Sequence, residues 1–327
     1  MPGDRTLITG GAGYIGMLLA EQLLEAGRDV RVLDSLLHGQ EDRAQELRDR
    51  GAEVVVGDVR DPAARAAALA DVTAVVHLAA IVGDPACALD PEAAQAVNVG
   101  GSRAVAEEAA AAGVQRFVFA STCSNYGRMT DPTVPIAEDG VLAPLSLYAE
   151  QKVEIERGLL DGATAAPPVV TCLRFATVYG VAPRMRFDLT VNEFTRDLWS
   201  DRRLEVFGEQ FWRPYVHVRD AARGVQTVLE APADAVAGEV FNVGDTGENY
   251  RKLDLVELIR GETGNGEVVF VRRTEDPRDY KVSFEKVAQR LDYRVTRTVP
   301  DGIRELIGEL EAGRYPDAFD GRYRNIP

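Results

Sequence analysis

Short apolar runs alternate with helical patterns along the first half of the chain. The first run ends in glycines, and apolar residues at one-face helical spacing follow it; Ala-rich helical stretches lie near residues 62–70 and 91–112. Strands separated by helices predict crossover connections, and therefore a parallel sheet covered by helices on both faces. The predicted strands are residues 6–8, 30–33, 53–56, 74–78, 116–119 and 169–173.

The pattern loosens after Gly180. Helices are predicted at residues 191–200, 219–229, 253–260, 283–291 and 300–311, and short strands at 204–207, 215–218, 240–243 and 268–271. We therefore expect an α/β protein with a doubly wound parallel sheet and a smaller mixed C-terminal lobe. The first domain is placed at residues 1–180, with further elements from about 212–245, and the substrate lobe at residues 181–327.

Composition narrows the class of protein. Of 327 residues, 46% are hydrophobic and 27% charged, which is globular composition. The 52 acidic residues exceed the 37 basic ones and give a net charge of −15, so neither nucleic acid nor an anionic membrane is expected as a partner. Three cysteines and three histidines lack metal-ligand spacing, so no metal and no disulfide framework are expected. The start has no apolar stretch suited to a signal peptide or membrane helix, which predicts a cytoplasmic protein.

A glycine-rich turn joins the first predicted strand to the first predicted helix. Gly11, Gly13 and Gly16 fit the pattern G-x-G-x-x-G, and with Gly10 in place of Gly11 they fit G-x-x-G-x-x-G. Glycine is needed because a side chain would block the tight turn and hold the backbone away from a pyrophosphate. The helix that begins here points its unpaired N–H groups at that anion. This strand–turn–helix context predicts a dinucleotide-binding Rossmann domain.

Asp34 ends the second predicted strand, eighteen residues beyond Gly16. An acidic side chain there can accept hydrogen bonds from both ribose hydroxyls and repels a 2′-phosphate, and no arginine follows it immediately. The sequence therefore favours NAD over NADP as the cofactor. Asp58 and Val59 follow the third strand, where either an adenine contact or a plain turn would place such residues.

Tyr148 and Lys152 lie four residues apart, and hence on one face of a predicted helix. A phenol has a pKa near ~10 and is a poor base at neutral pH. A nearby ammonium group, together with an oxidised nicotinamide ring, would lower that pKa and let Tyr148 exchange a proton with a hydroxyl or carbonyl group. Thr122 ends the fifth strand, at the sheet edge where a doubly wound fold binds its ligand, so its hydroxyl could share this proton.

Taken together, these motifs resemble the extended short-chain dehydrogenases/reductases, and among them the NAD-dependent nucleotide-sugar epimerase/dehydratase family. The resemblance covers essentially the whole chain. Besides the glycine turn, Thr122, Tyr148 and Lys152, the motifs that carry it are Asp34, Asp58-Val59, His77-Leu78-Ala79-Ala80, Asn98, Leu173-Arg174-Phe175, Val178-Tyr179-Gly180, Arg213-Pro214-Tyr215-Val216-His217-Val218 and Asp276-Pro277-Arg278-Asp279.

The resemblance implies NAD as cofactor, a nucleotide-diphosphate sugar as substrate, and a homodimer. A sugar hydroxyl would face Thr122 and Tyr148, and Lys152 would bind the nicotinamide ribose. The implied cofactor-binding positions are Gly10, Gly13, Tyr14, Ile15, Gly16, Asp34, Asp58, Val59, Leu78, Ala79, Ala80, Asn98, Tyr148, Lys152, Phe175 and Val178. The implied substrate-binding positions are Ser124, Asn125, Thr177, Asn192, Arg213 and Arg278. Arginine suits this role because a guanidinium group can bind phosphate through two hydrogen bonds.

The chain departs from the family pattern near the expected sugar site. Sugar 4,6-dehydratases carry an Asp-Glu pair directly after the catalytic hydroxyl residue, whereas this chain has Cys123 and Ser124. Dehydration is therefore disfavoured, and Ser124 also disfavours a decarboxylase. Cys123 has two interpretations: a thiol that acts as acid or base beside a transient ketone, or a small apolar wall of the pocket. Thr177 replaces the asparagine that is common before the Val-Tyr-Gly segment, which leaves one substrate contact open.

The leading hypothesis is an NAD-dependent epimerase that inverts C4 of a nucleotide-activated sugar through a transient 4-keto intermediate. Its catalytic residues would be Thr122, Tyr148 and Lys152. The alternatives are a 4-ketosugar reductase and a C3/C5 epimerase that uses Cys123. A non-catalytic NAD-binding regulator is disfavoured because the catalytic set is intact.

Overall fold

A seven-stranded parallel sheet lies at the centre of the protein. The structure is a computed structural model, and it describes residues 4–131, 133–164, 166–264, 266–271 and 278–325. The strands are β1 (Arg5–Thr9), β2 (Asp29–Asp34), β3 (Glu53–Val56), β4 (Ala74–His77), β5 (Arg116–Thr122), β6 (Val169–Phe175), β7 (Thr177–Tyr179), β8 (Leu204–Phe207), β9 (Trp212–His217), β10 (Glu239–Val243), β11 (Asn249–Arg251) and β12 (Val268–Val271). The order across the large sheet is β10-β6-β5-β4-β1-β2-β3. The predicted doubly wound α/β fold is confirmed.

Helices cover both faces of this sheet. Their bounds are α1 (Tyr14–Glu25), α2 (Glu41–Asp49), α3 (Pro62–Leu69), α4 (Asp84–Leu89), α5 (Pro91–Ala94), α6 (Ser102–Ala111), α7 (Leu147–Leu160), α8 (Thr190–Trp199), α9 (Val218–Glu230), α10 (Ala233–Val236), α11 (Lys252–Thr263), α12 (Glu285–Leu291) and α13 (Val299–Glu311). Consecutive strand residues point to opposite faces, so Ile8 packs in the core with α1 and α9, whereas Leu7 packs in the core with α3 and α6.

The strand order changes direction between β1 and β4. From β1 the chain builds outward through β2 to β3; it then crosses to the other side of β1 and continues with β4, β5 and β6. Connections that diverge from two neighbouring strands leave a crevice at the carboxyl ends of those strands, and doubly wound proteins bind their ligands there. Thr9 and His77, which are paired in register, end β1 and β4 at this crevice.

A smaller lobe with its own apolar core is built mostly from residues after Gly180, together with β7 from directly before it. It contains a three-stranded sheet in the order β11-β9-β7 and a two-stranded sheet of β12 and β8. Helices α8, α11 and α13 supply much of the core, including Phe194, Leu198, Leu255, Ile259, Ile303 and Leu306. The chain rejoins the large sheet at β10, which pairs with β6. We propose the division near residue 180 given above, with residues of about 212–245 added to the first domain.

The helix predicted over residues 91–112 is interrupted in the structure. A π-helix, Gln95–Gly101, separates α5 from α6. A π-turn holds more residues than an α-turn and occurs frequently at functional sites. Strands β7 and β11 are not predicted from the sequence, because three residues are too few to show a period. Within the described ranges, no helix is both long and apolar enough to cross a bilayer.

Candidate active site

The glycine turn adopts a shape that requires glycine at two positions. Gly10 has a φ of +71°, and a Cβ atom there would lie 2.9 Å from the backbone nitrogen of Ala79. A Cβ atom on Gly16 would lie 2.4 Å from the carbonyl oxygen of Gly10, because α1 packs directly against the turn. Gly13 is the N-cap of α1, so the N–H groups of the first turn lack intrahelical partners. The turn therefore has the cradle that a pyrophosphate of a dinucleotide needs.

Asp34 lies at the end of β2 with its carboxylate next to the glycine turn. The two carboxylate oxygens accept hydrogen bonds from the N–H groups of Ala12 (3.0 Å) and Leu36 (2.9 Å). Burial raises the pKa of the Asp34 carboxyl group, and these hydrogen bonds oppose the rise. The carboxylate is thus fixed at the edge of the cradle, where it can accept the ribose hydroxyls of NAD.

A hydrogen-bonded chain lies behind the crevice. The ring nitrogens of His77 lie 2.8 Å from the hydroxyl of Thr9 and 2.9 Å from that of Ser102. Burial lowers the pKa of His77 to about 3, so the ring is neutral. The Thr9 hydroxyl also accepts a hydrogen bond from the N–H group of Ala79 (3.2 Å). These hydrogen bonds therefore fix Ala79, the middle one of the implied cofactor positions Leu78, Ala79 and Ala80.

Asn98 lies in the π-helix and holds the loop that follows β4. Its side-chain oxygen accepts a hydrogen bond from the N–H group of Ile81 (2.7 Å), and its amide group donates to the Ile81 carbonyl (3.0 Å). The amide also donates to the side-chain oxygen of Gln151 on α7 (2.9 Å). Asn98 is 3% exposed, so these hydrogen bonds make it a positioning residue for the loop, and its implied contact with NAD stays a prediction.

Tyr148 and Lys152 lie on the first two turns of α7, which packs beside β5. The Nζ atom of Lys152 donates to the carbonyl oxygen of Ala120 (2.8 Å) and lies 5.8 Å from the centre of the Tyr148 ring. Thr122, two residues beyond Ala120, is the last residue of β5. Its hydroxyl oxygen accepts a hydrogen bond from the N–H group of Ser124 (3.1 Å). The helix face with Tyr148 and Lys152 therefore adjoins the strand that ends in Thr122.

Burial dominates the ionisation of both residues on α7. It raises the pKa of the Tyr148 phenol, and Arg186 opposes the rise. It lowers the pKa of the Lys152 ammonium group to about 8. In the chain alone, burial therefore outweighs the opposing charge of Arg186, and the lowering expected from Lys152 together with oxidised nicotinamide stays a prediction.

A buried polar network lies next to the catalytic end of β5. The Glu156 carboxylate accepts hydrogen bonds from the hydroxyl of Ser121 (2.6 Å) and the guanidinium group of Arg174 (2.5 Å). Arg174 also donates to the hydroxyl of Tyr126 (2.9 Å). Glu156 and Arg174 are 1% and 4% exposed, so removing either would leave a buried charge without its partner. The network fixes the residues on either side of Thr122.

Cys123 points into the core below the crevice. It is 1% exposed, and its thiol donates to the carbonyl oxygen of Arg174 (3.2 Å). Burial raises the pKa of the thiol well above its usual value. This placement agrees with apolar packing and argues against the acid–base role considered for Cys123. The C3/C5 epimerase alternative thereby loses its proposed catalytic residue. Cys87 and Cys172 are also fully buried.

Asn192 and Asn125 lie in the core and not in a sugar pocket. The Asn192 side chain accepts a hydrogen bond from the N–H group of Gly180 (2.8 Å) and donates to the hydroxyl of Tyr14 (3.1 Å). Asn125 donates to the hydroxyl of Ser121 (3.1 Å). Both asparagines have no exposed surface. The structure therefore does not support the substrate contacts implied for them, because their side chains are enclosed by protein.

Ser124, Arg213 and Arg278 come together on one side of the crevice. Arg213 donates to the carbonyl oxygen of Arg278. The Nη1 atom of Arg278 lies 3.5 Å from the Ser124 hydroxyl and 2.8 Å from the carboxylate of Asp84. Guanidinium groups from two residues that are in contact suit a diphosphate, which accepts hydrogen bonds at both phosphates. Asp276 and Pro277, which belong to the same sequence motif, lie outside the described residues.

The remaining implied positions follow neighbouring strands. Because β5 lies between β4 and β6 in the sheet, residues 78–80 and 175–178 flank Thr122 on its two sides. The second group includes Phe175, Thr177 and Val178. Asp58 follows β3 and forms an ion pair with Arg60 (2.7 Å), and Val59 is buried in the core.

The sequence reasoning missed Glu156 as part of the site. It lies four residues beyond Lys152, and hence on the face of α7 that carries Tyr148 and Lys152. A carboxylate on a helix face that must be buried indicates a buried cationic partner. That pattern could have identified Glu156, and it would have pointed to Arg174 on a neighbouring strand.

The dinucleotide cradle, Asp34 and the Tyr148 and Lys152 pair define a cofactor-dependent enzyme of the short-chain dehydrogenase/reductase type. A family model described as "NAD dependent epimerase/dehydratase family" matches residues 6–244, and the chain belongs to this family. NAD is therefore its cofactor. The predicted family and cofactor are confirmed. The prediction of an NAD-dependent epimerase of the extended short-chain dehydrogenase/reductase type is confirmed as well.

Individual relatives agree with this assignment. A UDP-glucose 4-epimerase of Corynebacterium glutamicum is 29% identical over 311 residues, which span 90% of this chain and 92% of the relative. The crystal structure of a UDP-glucose 4-epimerase with UDP-glucose from Thermotoga maritima is similar with a TM-score of 0.85 at 26% identity, covering 95% of this chain and 99% of that one. A Thermus thermophilus UDP-glucose 4-epimerase in complex with NAD has a TM-score of 0.81 at 26% identity, with coverage of 94% and 99%.

Proposed function

We propose that the protein is a nucleotide-sugar 4-epimerase, which inverts C4 of a UDP-hexose or a related nucleotide-activated sugar through a transient 4-keto intermediate. The observation that carries the proposal is the placement of Tyr148 and Lys152 beside the strand end with Thr122, at the ligand crevice of a dinucleotide-binding sheet. The activity named for the relatives supports C4 as the carbon and uridine diphosphate as the carrier.

The chain's own residues handle the proton of the sugar 4-hydroxyl. Bound NAD would supply a hydride acceptor and donor for C4 and a positive charge near the phenol. Thr122 holds the 4-hydroxyl oxygen while Tyr148 takes its proton, and Tyr148 gives this proton back when the alcohol forms again. Lys152 binds the nicotinamide ribose while remaining anchored to the Ala120 carbonyl. No net redox change results.

Arg213 and Arg278 bind the diphosphate of the substrate in this proposal. The guanidinium group of Arg213 donates to the backbone carbonyl of Arg278, and that of Arg278 is paired with the carboxylate of Asp84 at 2.8 Å. A diphosphate carries more negative charge than a carboxylate and accepts two parallel hydrogen bonds from arginine, so it competes well with Asp84. Ser124, which lies 3.5 Å from Arg278, then faces the sugar side of the diphosphate.

Other reactions of the family have less support in this site. Elimination of water needs an acid and a base beside the sugar. This chain has Cys123 and Ser124 at the two positions where the sugar dehydratases of the family carry Asp-Glu. Inversion at C3 or C5 needs a base at that carbon, and the Cys123 thiol is enclosed in the core. A 4-ketosugar reductase would use the same Tyr148 and Lys152, but it would consume one reduced cofactor for each product.

Incubation with UDP-, dTDP-, GDP- and CDP-sugars in deuterated water tests the proposal. Product NMR should show a C4 epimer without deuterium in the sugar, and absorbance at 340 nm should show no accumulation of NADH. Tyr148→Phe should abolish turnover while NAD binding remains. The matched control is Tyr293→Phe, which removes a core phenol that donates to the carbonyl oxygen of Asp220. Deuterium at C3 or C5, stoichiometric consumption of cofactor, or full activity of Y148F would each contradict the proposal.

We also propose a homodimer, in line with the implication of the family resemblance. Helices α6 and α7 are the natural candidates for the interface, because they lie on the side of the sheet that carries Tyr148. Light scattering after gel filtration measures the mass in solution, and a species of a single chain at micromolar concentration would contradict this proposal.

A further inference from the structure

Two arginines lie near the glycine turn in a segment that the proposed mechanism does not use. The segment, residues 180–188 between β7 and α8, is termed the arginine loop because it carries Arg184 and Arg186. The hydroxyl of Tyr14 donates to the carbonyl oxygen of Gly180 (2.5 Å). Because Tyr14 is the first residue of α1, the arginine loop is bound at the helix end that forms the pyrophosphate cradle.

A second point of the arginine loop is tied to the same helix end, because the side-chain amide of Asn192 donates to the hydroxyl of Tyr14 (3.1 Å) and to the carbonyl oxygen of Arg186 (2.8 Å). Burial raises the pKa of Asp34, and the guanidinium group of Arg184 opposes that rise. Burial likewise raises the pKa of Tyr148, and there Arg186 opposes the rise. Arg184 thus lies between two points of the loop, Gly180 and Arg186, that are tied to the start of α1. A pyrophosphate held by the glycine turn would lie at this same helix end.

Arg184 and Arg186 differ in their partners. Arg186 donates two hydrogen bonds to the carboxylate of Asp188 (2.9 and 2.8 Å). Arg184 is 6% exposed and forms no ion pair with any described residue; its guanidinium group donates to the backbone carbonyl of Arg324 (3.3 Å). Burial lowers the pKa of Arg184 to about 10, so the group keeps its charge at neutral pH. A buried cation without a carboxylate partner is costly, and an anionic ligand would remove this cost.

We propose that Arg184 is a cofactor-binding residue and that its guanidinium group binds the pyrophosphate of NAD opposite the glycine turn. A planar guanidinium group can donate two parallel hydrogen bonds to phosphate, and the pyrophosphate would form the ion pair that Arg184 makes with no described carboxylate. NAD then contacts the first domain through the glycine turn and the arginine loop through Arg184. This inference rests on the NAD site, and it is independent of the carbon that the enzyme inverts.

Arg184→Met tests the inference, because methionine fills the aliphatic space and removes the charge. The full-length wild type and variant, stripped of copurified nucleotide, are titrated by calorimetry with NAD, ADP-ribose and adenosine. R184M should bind NAD and ADP-ribose about 10- to 100-fold more weakly, which is the range expected for losing charge-assisted hydrogen bonds. Adenosine, which has no phosphate, should bind R184M as it binds the wild type. Without ligand, R184M should unfold at the wild-type temperature or above it, because a buried unpaired charge is gone.

Two further variants complete the test. Arg184→Lys keeps the charge without the two-pronged geometry and should bind ADP-ribose with intermediate affinity. Arg203→Gln changes an arginine with a 56% exposed side chain in the same lobe and should leave all three affinities unchanged. Unchanged binding of NAD by R184M would overturn the proposal, as would equal weakening of adenosine and ADP-ribose. A lower unfolding temperature with uniform loss of all three ligands would instead assign Arg184 a structural role. If the wild type binds NAD but epimerises none of the sugar nucleotides, the proposed function fails while the inference about Arg184 is unaffected.

Discussion

Replacing Lys152 by methionine should make the burial of its ammonium group visible as a pH dependence of folding. Lys152 is 4% exposed, and burial lowers its pKa from the ordinary 10.5 to about 8. The unfolded chain therefore binds this proton more tightly than the folded chain does. Protonation of Lys152 thus lowers the stability of the folded state below pH 8, and this penalty fades as the pH rises from 8 towards 10.5.

The expected magnitude follows from the two pKa values. The full shift corresponds to about 3 kcal/mol, at ~1.4 kcal/mol for each pKa unit. Between pH 7 and pH 10, the free energy of unfolding of the wild type should rise by about 2.5 kcal/mol relative to K152M. The lost hydrogen bond to Ala120 and the changed packing affect K152M at every pH. The pH dependence of the difference therefore isolates the ammonium group.

Urea unfolding of both proteins without NAD at pH 7, 8, 9 and 10 measures this difference. The same pair of measurements in a Tyr148→Phe background controls for titration of the phenol, whose ring centre lies 5.8 Å from Nζ of Lys152. A difference in unfolding free energy that stays constant over this pH range would refute the reasoning, because it would show that the ammonium group is equally well solvated in both states.

Three further substitutions test other parts of the site. Glu156→Leu should lower the free energy of unfolding by about 3–5 kcal/mol in urea titrations, because Arg174 would stay buried without its carboxylate; a loss below ~1 kcal/mol would contradict this. Cys123→Ala should retain epimerase activity in steady-state assays, whereas loss of a general acid or base typically costs about 100-fold or more. Asn192→Ala should lower the unfolding free energy by about 1–3 kcal/mol, because the Asn192 amide joins Tyr14 to Gly180. The KM for the sugar nucleotide should stay unchanged. A raised KM at unchanged stability would restore Asn192 as a substrate contact.

Much of the sheet follows from local pattern alone. The runs at 53–56 and 268–271 coincide with β3 and β12, because apolar β-branched residues bounded by polar or glycine residues favour short strands. The glycine turn is equally predictable, since positive φ at Gly10 and close packing at Gly16 both demand the absence of a side chain.

Side-chain direction is what local pattern does not specify. A resemblance places Asn192 and Asn98 at the right positions along the chain, yet their amides face neighbouring backbone within the protein. The pKa values of Tyr148 and Lys152 depend on how deeply α7 is buried, which spacing cannot reveal. Arg184, which affects the pKa of Asp34, lies 150 residues further along the chain, so no local motif at β2 predicts this interaction.

The π-helix Gln95–Gly101 determines where this chain can lose a residue without losing its fold. An α-helix advances about 100° per residue, so a one-residue deletion within α6 would rotate its apolar stripe away from the sheet. The same deletion inside the wide turn would restore ordinary helical hydrogen bonding and leave α6 facing the sheet as before. Asn98 would then no longer reach the backbone of Ile81. Shortening the chain at this point would yield a protein that folds correctly but has a loosened loop beside its catalytic helix.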